Sequence, residues 1–313
     1  MKNTASRRSV LQAGLAGAAA LSLGTLGSAL PRWAGAATGP LSSQRLSDNL
    51  LLISGAGGNI VAARDARGLL LVDGGTAAAG PEALQRALRE LGARSAHTLI
   101  NTHWHGEHTG LNEPLGRQGA RIIAHENTRL WLSTDVRMAP DAAPIKRLSA
   151  KARPNDTTYT TGSTALGDET VSYGYLSQAH TDGDLYVKFA KANVLVTGGV
   201  VAGQGWPTAD WVTGGWISGT AAGYKTLVGL CDAQTRVVTA NATQVIGKAE
   251  LEAEMAIIAN LADQLTRMLR KGFAPADMLA AAPAKDYEAK LGDATQFLTE
   301  SFKSLWPRMA PDA

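Results

Sequence analysis

The segment NTHWHGEHTG at positions 101–110 constrains this chain more than any other part of its sequence. Within six positions it places three of the six histidines of the protein: His103, His105 and His108. The preceding residues 98–102 are rich in Thr, Leu and Ile and are predicted to form a short β-strand. Alternate side chains of an extended segment point the same way, so His103 and His105 can bind one ion.

Glu107 lies between the second and third histidines and follows Gly106, which allows the chain to turn. Glu107 and His108 are therefore expected to face a different side of the loop. Zinc is bound in proteins by imidazole and carboxylate groups, and a catalytic zinc takes three protein ligands and leaves one position for water. The pattern predicts a metal site; the alternative is a solvated loop that is rich in histidine.

The cluster resembles the H-x-H-x-D-H motif of the metallo-β-lactamase superfamily. Leu69–Gly74 (LLLVDG) resembles the family's strand that ends in an Asp-Gly turn, and Ala179–Asp184 (AHTDGD) resembles the segment that carries a further metal ligand. The resemblance runs from about Leu46 to the C-terminal helices. It implies an α/β fold, an αββα sandwich of two mixed β-sheets flanked by helices, with a C-terminal helical extension and the metals at one edge of the sheets.

The resemblance also implies a role for each residue of the site. The first metal would be held by His103, His105 and His180, and His108 would belong to a second metal position. Glu107 would be the catalytic residue that orients a water molecule or moves its proton. Asp73 and Asp210 would hold the metal loops without binding metal. Trp206 and Trp211 are candidates for lining a pocket, with packing in the core as the alternative, and His125 is interpreted as a helix-start or packing residue.

Two positions depart from the family pattern. Gly199 stands where most members have the aspartate that bridges two metals, and Asn241 stands where most have a late histidine. Zinc seldom recruits an asparagine oxygen. We therefore expect one zinc per chain and a weak or empty second site. Restoring both ligands, Gly199→Asp with Asn241→His, is expected to raise the metal content toward two.

The implied activity is that of a zinc-dependent hydrolase acting on a small molecule, in which a metal-bound hydroxide attacks an ester, lactone, thioester or amide carbonyl. A β-lactam is one candidate substrate. The alternative is a catalytically degenerate protein that binds a metal or a small ligand, since two ligands of the second site are replaced. A dioxygenase of the same fold would use the aspartate that Gly199 replaces, and is disfavoured.

The N-terminus predicts export. Arg7 and Arg8 form a twin-arginine motif, followed by a mildly apolar stretch and an A-x-A cleavage site that ends at Ala36. We predict a signal peptide over residues 1–36, recognised by the twin-arginine translocase, and a periplasmic mature protein. A membrane anchor is the alternative, but the glycines of the stretch make a stable span unfavourable.

Removal of the leader changes the charge of the chain. Its four basic residues, without any acidic one, account for the shift from a formal net charge of +3 to −1. The basic balance of the precursor therefore gives no indication of nucleic-acid binding. The expected organisation is a linker at 37–44, a metallo-β-lactamase-like domain at 45–248, and a helical extension at 249–313 packed on the same domain.

Overall fold

The first sheet of the protein is built from strands that pair in chain order. The computed structural model describes residues 38–309. This sheet has seven strands: β1 (Ser42–Ser47), β2 (Leu50–Ser54), β3 (Ile60–Asp65), β4 (Gly68–Val72), β5 (Ala96–Ile100), β6 (Arg121–His125) and β7 (Asp156–Thr158). The first four strands are antiparallel, whereas β4 to β7 run parallel to one another.

The second sheet has five strands in the order β12-β11-β10-β9-β8. The strands are β8 (Thr161–Leu166), β9 (Glu169–Leu176), β10 (Asp184–Phe189), β11 (Val194–Val196) and β12 (Arg236–Val238). Only the pair β11–β12 is parallel; the other three pairs are antiparallel. Both sheets are therefore mixed.

Helices cover the outer face of each sheet. In the described residues these are α1 (Gly80–Leu91), α2 (Asn112–Arg117), α3 (Glu126–Leu132), α4 (Ile217–Gly229), α5 (Lys248–Arg270), α6 (Pro275–Ala281), α7 (Glu288–Leu291) and α8 (Thr295–Met309). The first shows how the sequence sets such bounds: Pro81 lies in its first turn, and Gly92 ends it at a φ of 63°. Proline suits the first turn of a helix and glycine its left-handed end.

Successive side chains of a strand point to opposite faces of its sheet, so apolar strands pack on both faces. In β4, Leu70 and Val72 face the second sheet, whereas Leu69 and Leu71 pack against the helices outside the first sheet. A third cluster joins the outer face of the second sheet to the C-terminal helices. Burial of one such leucine contributes about 1.5–3 kcal/mol to folding. The arrangement of helix, sheet, sheet and helix confirms the predicted αββα sandwich and its C-terminal helices.

The predicted division of the chain is only partly within the described residues. The signal peptide predicted at 1–36 lies outside them. Strand β1 begins at Ser42, inside the segment predicted as a linker at 37–44. Helices α5 to α8, from Lys248 to Met309, occupy the segment predicted as a helical extension. Between residues 38 and 309, none of the helices combines the length and the hydropathy that a membrane crossing requires.

Candidate metal centre

Loops from both sheets meet at the site. The loop after β5 carries His103, His105 and His108, and the connection between β9 and β10 carries His180. Asp73 directly follows β4, the strand paired in parallel with β5. The ends of parallel strands lie at one edge of a sheet, which brings Asp73 under the histidine loop. The four histidines are almost fully buried, with exposed fractions of 1–4%.

Three of these histidines form a compact group that can hold a metal ion. One ring nitrogen each of His103, His105 and His180 lies within 4.8 Å of the other two. The ring centroids of each pair are 4.8 Å apart, and the planes meet nearly edge-on, at 83–89°. Three imidazoles in such an arrangement are a common protein contribution to a catalytic zinc site.

Hydrogen bonds on the outer nitrogens determine which nitrogen of each ring faces the group. His180 Nδ1 is 2.7 Å from the carbonyl oxygen of Thr208, which can only accept, so Nδ1 carries the proton. His105 Nε2 likewise donates to the Asp210 carboxylate, at 3.0 Å. The hydroxyl of Thr102 donates to Asp73, so it accepts from His103 Nδ1 at 3.1 Å. In each neutral ring the other nitrogen then presents a lone pair.

These assignments leave an arrangement that favours a cation. His105 Nδ1 and His180 Nε2 are 3.0 Å apart, and in the neutral rings their lone pairs face each other. His103 Nε2 is buried and has no hydrogen-bond partner among residues 38–309. An unpaired buried polar nitrogen and two facing lone pairs are both unfavourable in the absence of a positive charge. The donor set therefore fits a metal ion that prefers nitrogen ligands.

The lowered pKa values of two of the rings also favour metal binding. Burial, reinforced by the three neighbouring histidines, lowers the pKa of His103 well below its usual value. Burial and the nearby His105 also lower the pKa of His180. Metal binding requires neutral imidazole, and a lowered pKa keeps both rings in that form near neutral pH.

His108 belongs to a different part of the network. Its ring packs on that of His103 with the centroids 4.2 Å apart, but it lies outside the group of three. Its Nδ1 donates to Asp73 Oδ2 at 2.8 Å. Burial lowers the pKa of His108, but the charge and hydrogen bond of Asp73 outweigh it and the net shift is upward.

Asp73 and Asp210 occupy the positions from which they hold the histidine loop. Asp73 accepts from the backbone N–H and the hydroxyl of Thr102, both at 2.8 Å, and from His108. Its φ of 61° is unusual for a residue with a side chain. Asp210 accepts from two backbone amides, from the hydroxyl of Thr213 and from His105, and these hydrogen bonds lower its pKa although burial raises it.

Glu107 lies beside the three-histidine group. Its Oε1 is 4.0 Å from His105 Nδ1, and 11% of its side chain is exposed. A carboxylate in this position can accept a proton from a group bound next to the histidines. The distance is compatible with the predicted catalytic role of Glu107, which stays a prediction.

The two positions that depart from the family pattern differ in their surroundings. A Cβ atom on Gly199 would lie 2.3 Å from Cδ2 of His180, so the ring occupies the space beside this glycine. Asn241 is exposed, in a loop that the Asn59 side chain holds through the carbonyl oxygens of Thr239 and Ala242. An aspartate at position 199 therefore requires the ring of His180 to move. The expectation that Gly199→Asp with Asn241→His raises the metal content does not take this movement into account.

The two tryptophans predicted as pocket residues both contact the C-terminal part of the chain. Trp206 stacks on Phe297 with the ring centroids 4.6 Å apart, and its indole N–H donates to the carbonyl oxygen of Gly292. Trp211 is 39% exposed and lies under the ammonium group of Lys303, which is 5.9 Å from the ring centroid. A pocket role for either residue remains a prediction.

Sequence reasoning did not find several groups that shape the site. Thr208 acts through its carbonyl oxygen, which every residue has, so its identity carries no signal. Asp184 accepts from the backbone amides of His180 and Thr181, both at 2.7 Å, and thereby fixes the loop of the third histidine. Its burial raises its pKa to about 7 against these hydrogen bonds. The A-H-T-D-G-D pattern placed Asp184 near the site without showing this capping role.

Comparisons with known proteins support the fold and the family. The sequence model of the Metallo-beta-lactamase superfamily matches residues 54–256, which is more than half of the chain. No curated protein sequence matches the chain significantly.

Among solved structures, a metallo-beta-lactamase from Pontibacter korlensis is similar, with 16% identity, a TM-score of 0.57, and 70% of this chain and 99% of that chain covered. DIM-1 metallo-beta-lactamase has 18% identity and a TM-score of 0.53, with 70% and 96% covered. The inverting sec-alkylsulfatase Pisa1 from Pseudomonas sp. has 12% identity and a TM-score of 0.62, with 87% of this chain and 51% of that chain covered.

Identities of 12–18% show that these proteins share a fold with this chain, and they carry no information on its substrate. The family match contains the whole histidine loop and His180, and the two sheets have the expected mixed pairing. The three buried imidazoles lie at the sheet edge where the resemblance placed the first metal. On this evidence the chain belongs to the metallo-beta-lactamase superfamily, and its fold and histidine group support a metal-dependent hydrolase.

Proposed function

We propose that the protein is an exported hydrolase that uses one zinc ion held by His103, His105 and His180. The observation that carries the proposal is the convergence of three imidazole nitrogens, each directed inward by a hydrogen bond on its other nitrogen. Hydrogen bonds of this kind fix the ring orientation of metal-binding histidines and increase their basicity. In a solvated histidine-rich loop the rings would be exposed to water, whereas these three rings are only 1–4% exposed.

The residues of the chain divide the work around such an ion. Zinc held by the three histidines would supply Lewis acidity for polarising a carbonyl group and for activating a water molecule near neutral pH. His103 and His180 remain neutral because their pKa values are lowered, and Asp210 accepts the hydrogen bond from His105 Nε2 and so directs the Nδ1 lone pair of His105 inward. Glu107 orients the attacking water and accepts its proton, since its carboxylate lies beside His105 and is only partly exposed.

The substrate in this proposal is a small molecule with an ester, lactone, thioester or amide carbonyl. A β-lactam is included because the metallo-beta-lactamase from Pontibacter korlensis and DIM-1 metallo-beta-lactamase are similar in structure. The alkylsulfatase among the similar structures shows that the fold does not determine the bond that is cleaved.

One zinc per chain is the proposed stoichiometry. A second ion would have to use His108 and Glu107 without the usual aspartate and late histidine. His108 lies outside the three-histidine group, and Gly199 offers no side chain. The alternative of a catalytically degenerate binding protein rests on the same departures.

The proposed site of action is the periplasm, reached through the twin-arginine translocase. The proposal depends on Arg7, Arg8 and the cleavage site at Ala36, which lie outside the described residues. A stable membrane anchor and a nucleic-acid partner are not part of it.

The function is tested with zinc-loaded protein and a panel of esters, lactones, thioesters and β-lactams. We expect turnover of at least one class. Glu107→Gln should lower kcat by about 10²–10⁴-fold because it removes a general base, with the zinc content unchanged. Glu113→Gln is the control, because Glu113 is a partly exposed residue on α2 whose carboxylate accepts from Arg117 and Ser149, and it should keep full activity. If Glu107→Gln loses its zinc, Glu107 is a ligand; if no substrate is turned over, the binding-protein alternative replaces the hydrolase.

A further inference from the structure

The loop between β11 and α4 supports two of the three histidines of the proposed metal site. Thr208 accepts the hydrogen bond from His180 Nδ1, and Asp210 accepts the one from His105 Nε2. The loop has no regular strand; it contains two 3₁₀ turns, at Gly198–Val200 and Trp211–Thr213. The positions of both acceptors therefore depend on what holds this loop in place.

Helix α8 contacts the loop along its length. Lys303 lies over the ring of Trp211, and the buried hydroxyl of Ser304 accepts from the backbone N–H of Ile217 at 3.2 Å. The guanidinium group of Arg308 lies over the ring of Trp216, 4.6 Å from its centroid. The helix belongs to the C-terminal extension, beyond the residues that match the family.

Arg308 connects this loop to the segment that carries His180. Its Nη2 donates to the carbonyl oxygen of Gly214 at 2.8 Å, and its Nη1 donates to Gln178 Oε1 at 2.9 Å. Gln178 precedes His180 by two residues and has a φ of 50°, a left-handed conformation that needs support from its surroundings. One planar group thus binds both loops at the same time.

The chemistry of arginine suits this connection. A guanidinium group presents several donors in a fixed plane, whereas a lysine ammonium is a single point charge. The two loops are also joined by backbone hydrogen bonds, from Asp210 N to the oxygen of His180 and from Asp182 N to the oxygen of Thr213. Arg308 closes the outer side of these contacts.

We propose that α8 is a clamp for the metal site and that Arg308 is its positioning residue. The clamp keeps Thr208 and Asp210 against the outer nitrogens of His180 and His105, and so sets the orientation of two ligands without touching the ion. This inference rests on the proposed three-histidine site. It assigns the C-terminal helix a role in metal binding.

The first arm of the test needs no metal. In the metal-free mature protein, Arg308→Ala should accelerate amide hydrogen exchange by about 10-fold at Asp182, Asp210 and Gly215, because local opening becomes easier. Exchange in β4 and β5 should not change. Arg270→Ala removes an exposed arginine from α5 and is the control, with exchange at the three amides equal to wild type. Unchanged exchange in Arg308→Ala overturns the clamp.

The second arm measures Co²⁺ binding by its visible absorption spectrum and by titration against a chelator. Loss of an outer partner of a metal ligand typically weakens binding by about 10–100-fold, and we expect about 10-fold for Arg308→Ala, with an altered spectrum. Removal of the positive charge of Arg308 would by itself strengthen the binding of a cation. A lower Co²⁺ affinity in Arg308→Ala therefore identifies a geometric effect. Arg308→Lys keeps the charge and should also lose affinity.

The two arms separate the possible failures. A wild-type chain that binds no Co²⁺ overturns the proposed function, while the exchange experiment still decides whether Arg308 joins the loops. Faster exchange in Arg308→Ala with wild-type affinity and spectrum shows that the clamp does not set the metal site, and overturns the inference alone. Wild-type affinity in Arg308→Lys with a loss in Arg308→Ala shows that a lysine ammonium can replace the planar guanidinium group, and also overturns the role assigned to Arg308.

Discussion

Each imidazole of the three-histidine group is oriented by a different kind of acceptor. His103 donates to a hydroxyl, His105 to a carboxylate and His180 to a backbone carbonyl. Only the carboxylate carries a full charge, and it is shared with the loop amides and the hydroxyl of Thr213. Asp210 therefore has two functions, the orientation of His105 and the closure of its own turn.

Substitution of Asp210 by asparagine separates these functions. The amide oxygen of Asn can still accept from the loop, but the charge opposite His105 is lost. Changes of such partners typically cost 10–100-fold in metal affinity, and we expect a loss of this size in a zinc–chelator competition. Asp182→Asn is the matched control, because Asp182 binds the indole N–H of Trp131 instead of a histidine. Equal affinities of the two variants would contradict the role of Asp210.

The ligand residues could be predicted from the sequence because their spacing and types are specific. His103, His105 and His180 do come together, and His125 begins α3 by accepting from the N–H of Asn127, as its position before a polar helix start predicts. The carbonyl of Thr208 and the space beside Gly199 could not be predicted. Both depend on how a loop passes the site, which no residue type encodes.

At the scale of elements, the buried strands were predictable, whereas the polar edge strands β1 and β8 were not. The continuous apolar residues of β2 and β4 indicate strands buried on both faces. By contrast, β1 and β8 are polar, mostly exposed strands at the ends of the two sheets, and their residues resemble those of a loop. The contacts of Trp206 could not be predicted from the sequence either, because its partner Phe297 lies about ninety residues further along the chain.

The buried strands should account for the stability of the fold. Leu70 in β4 is 1% exposed and packs between the sheets. Leu70→Ala should lower the free energy of unfolding by about 2–5 kcal/mol, because it removes buried surface and leaves a cavity. Leu130 is 50% exposed on α3, and Leu130→Ala should change this free energy by about 0.5 kcal/mol or less. Urea denaturation measures both, and similar losses would contradict the assignment of the core.

At the scale of the whole molecule, the sandwich brings together residues that are distant in sequence. Residues 101–108 come from the first sheet and His180 from the second, so the group forms only when the two sheets pack. The inter-sheet cluster and the metal group are therefore coupled in folding. The fold could be inferred from the motif and from strand patterning, whereas the contacts of α8 required the structure.

The export prediction also concerns the whole chain. Replacement of both Arg7 and Arg8 by lysine should retain the precursor in the cytoplasm, because the translocase recognises the arginine pair. Cell fractionation and immunoblotting measure this. Lys2→Arg leaves the pair intact and should be exported normally. Undiminished periplasmic protein in the double variant would rule out the twin-arginine route.

The central claim is a single zinc site built from three histidines. Elemental analysis of the mature protein, purified without added metal, measures it most directly. We expect about one zinc per chain for the three-ligand site, and loss of that zinc in His103→Ala. A value of two tightly bound ions per chain, or zinc retained in His103→Ala, would contradict the account.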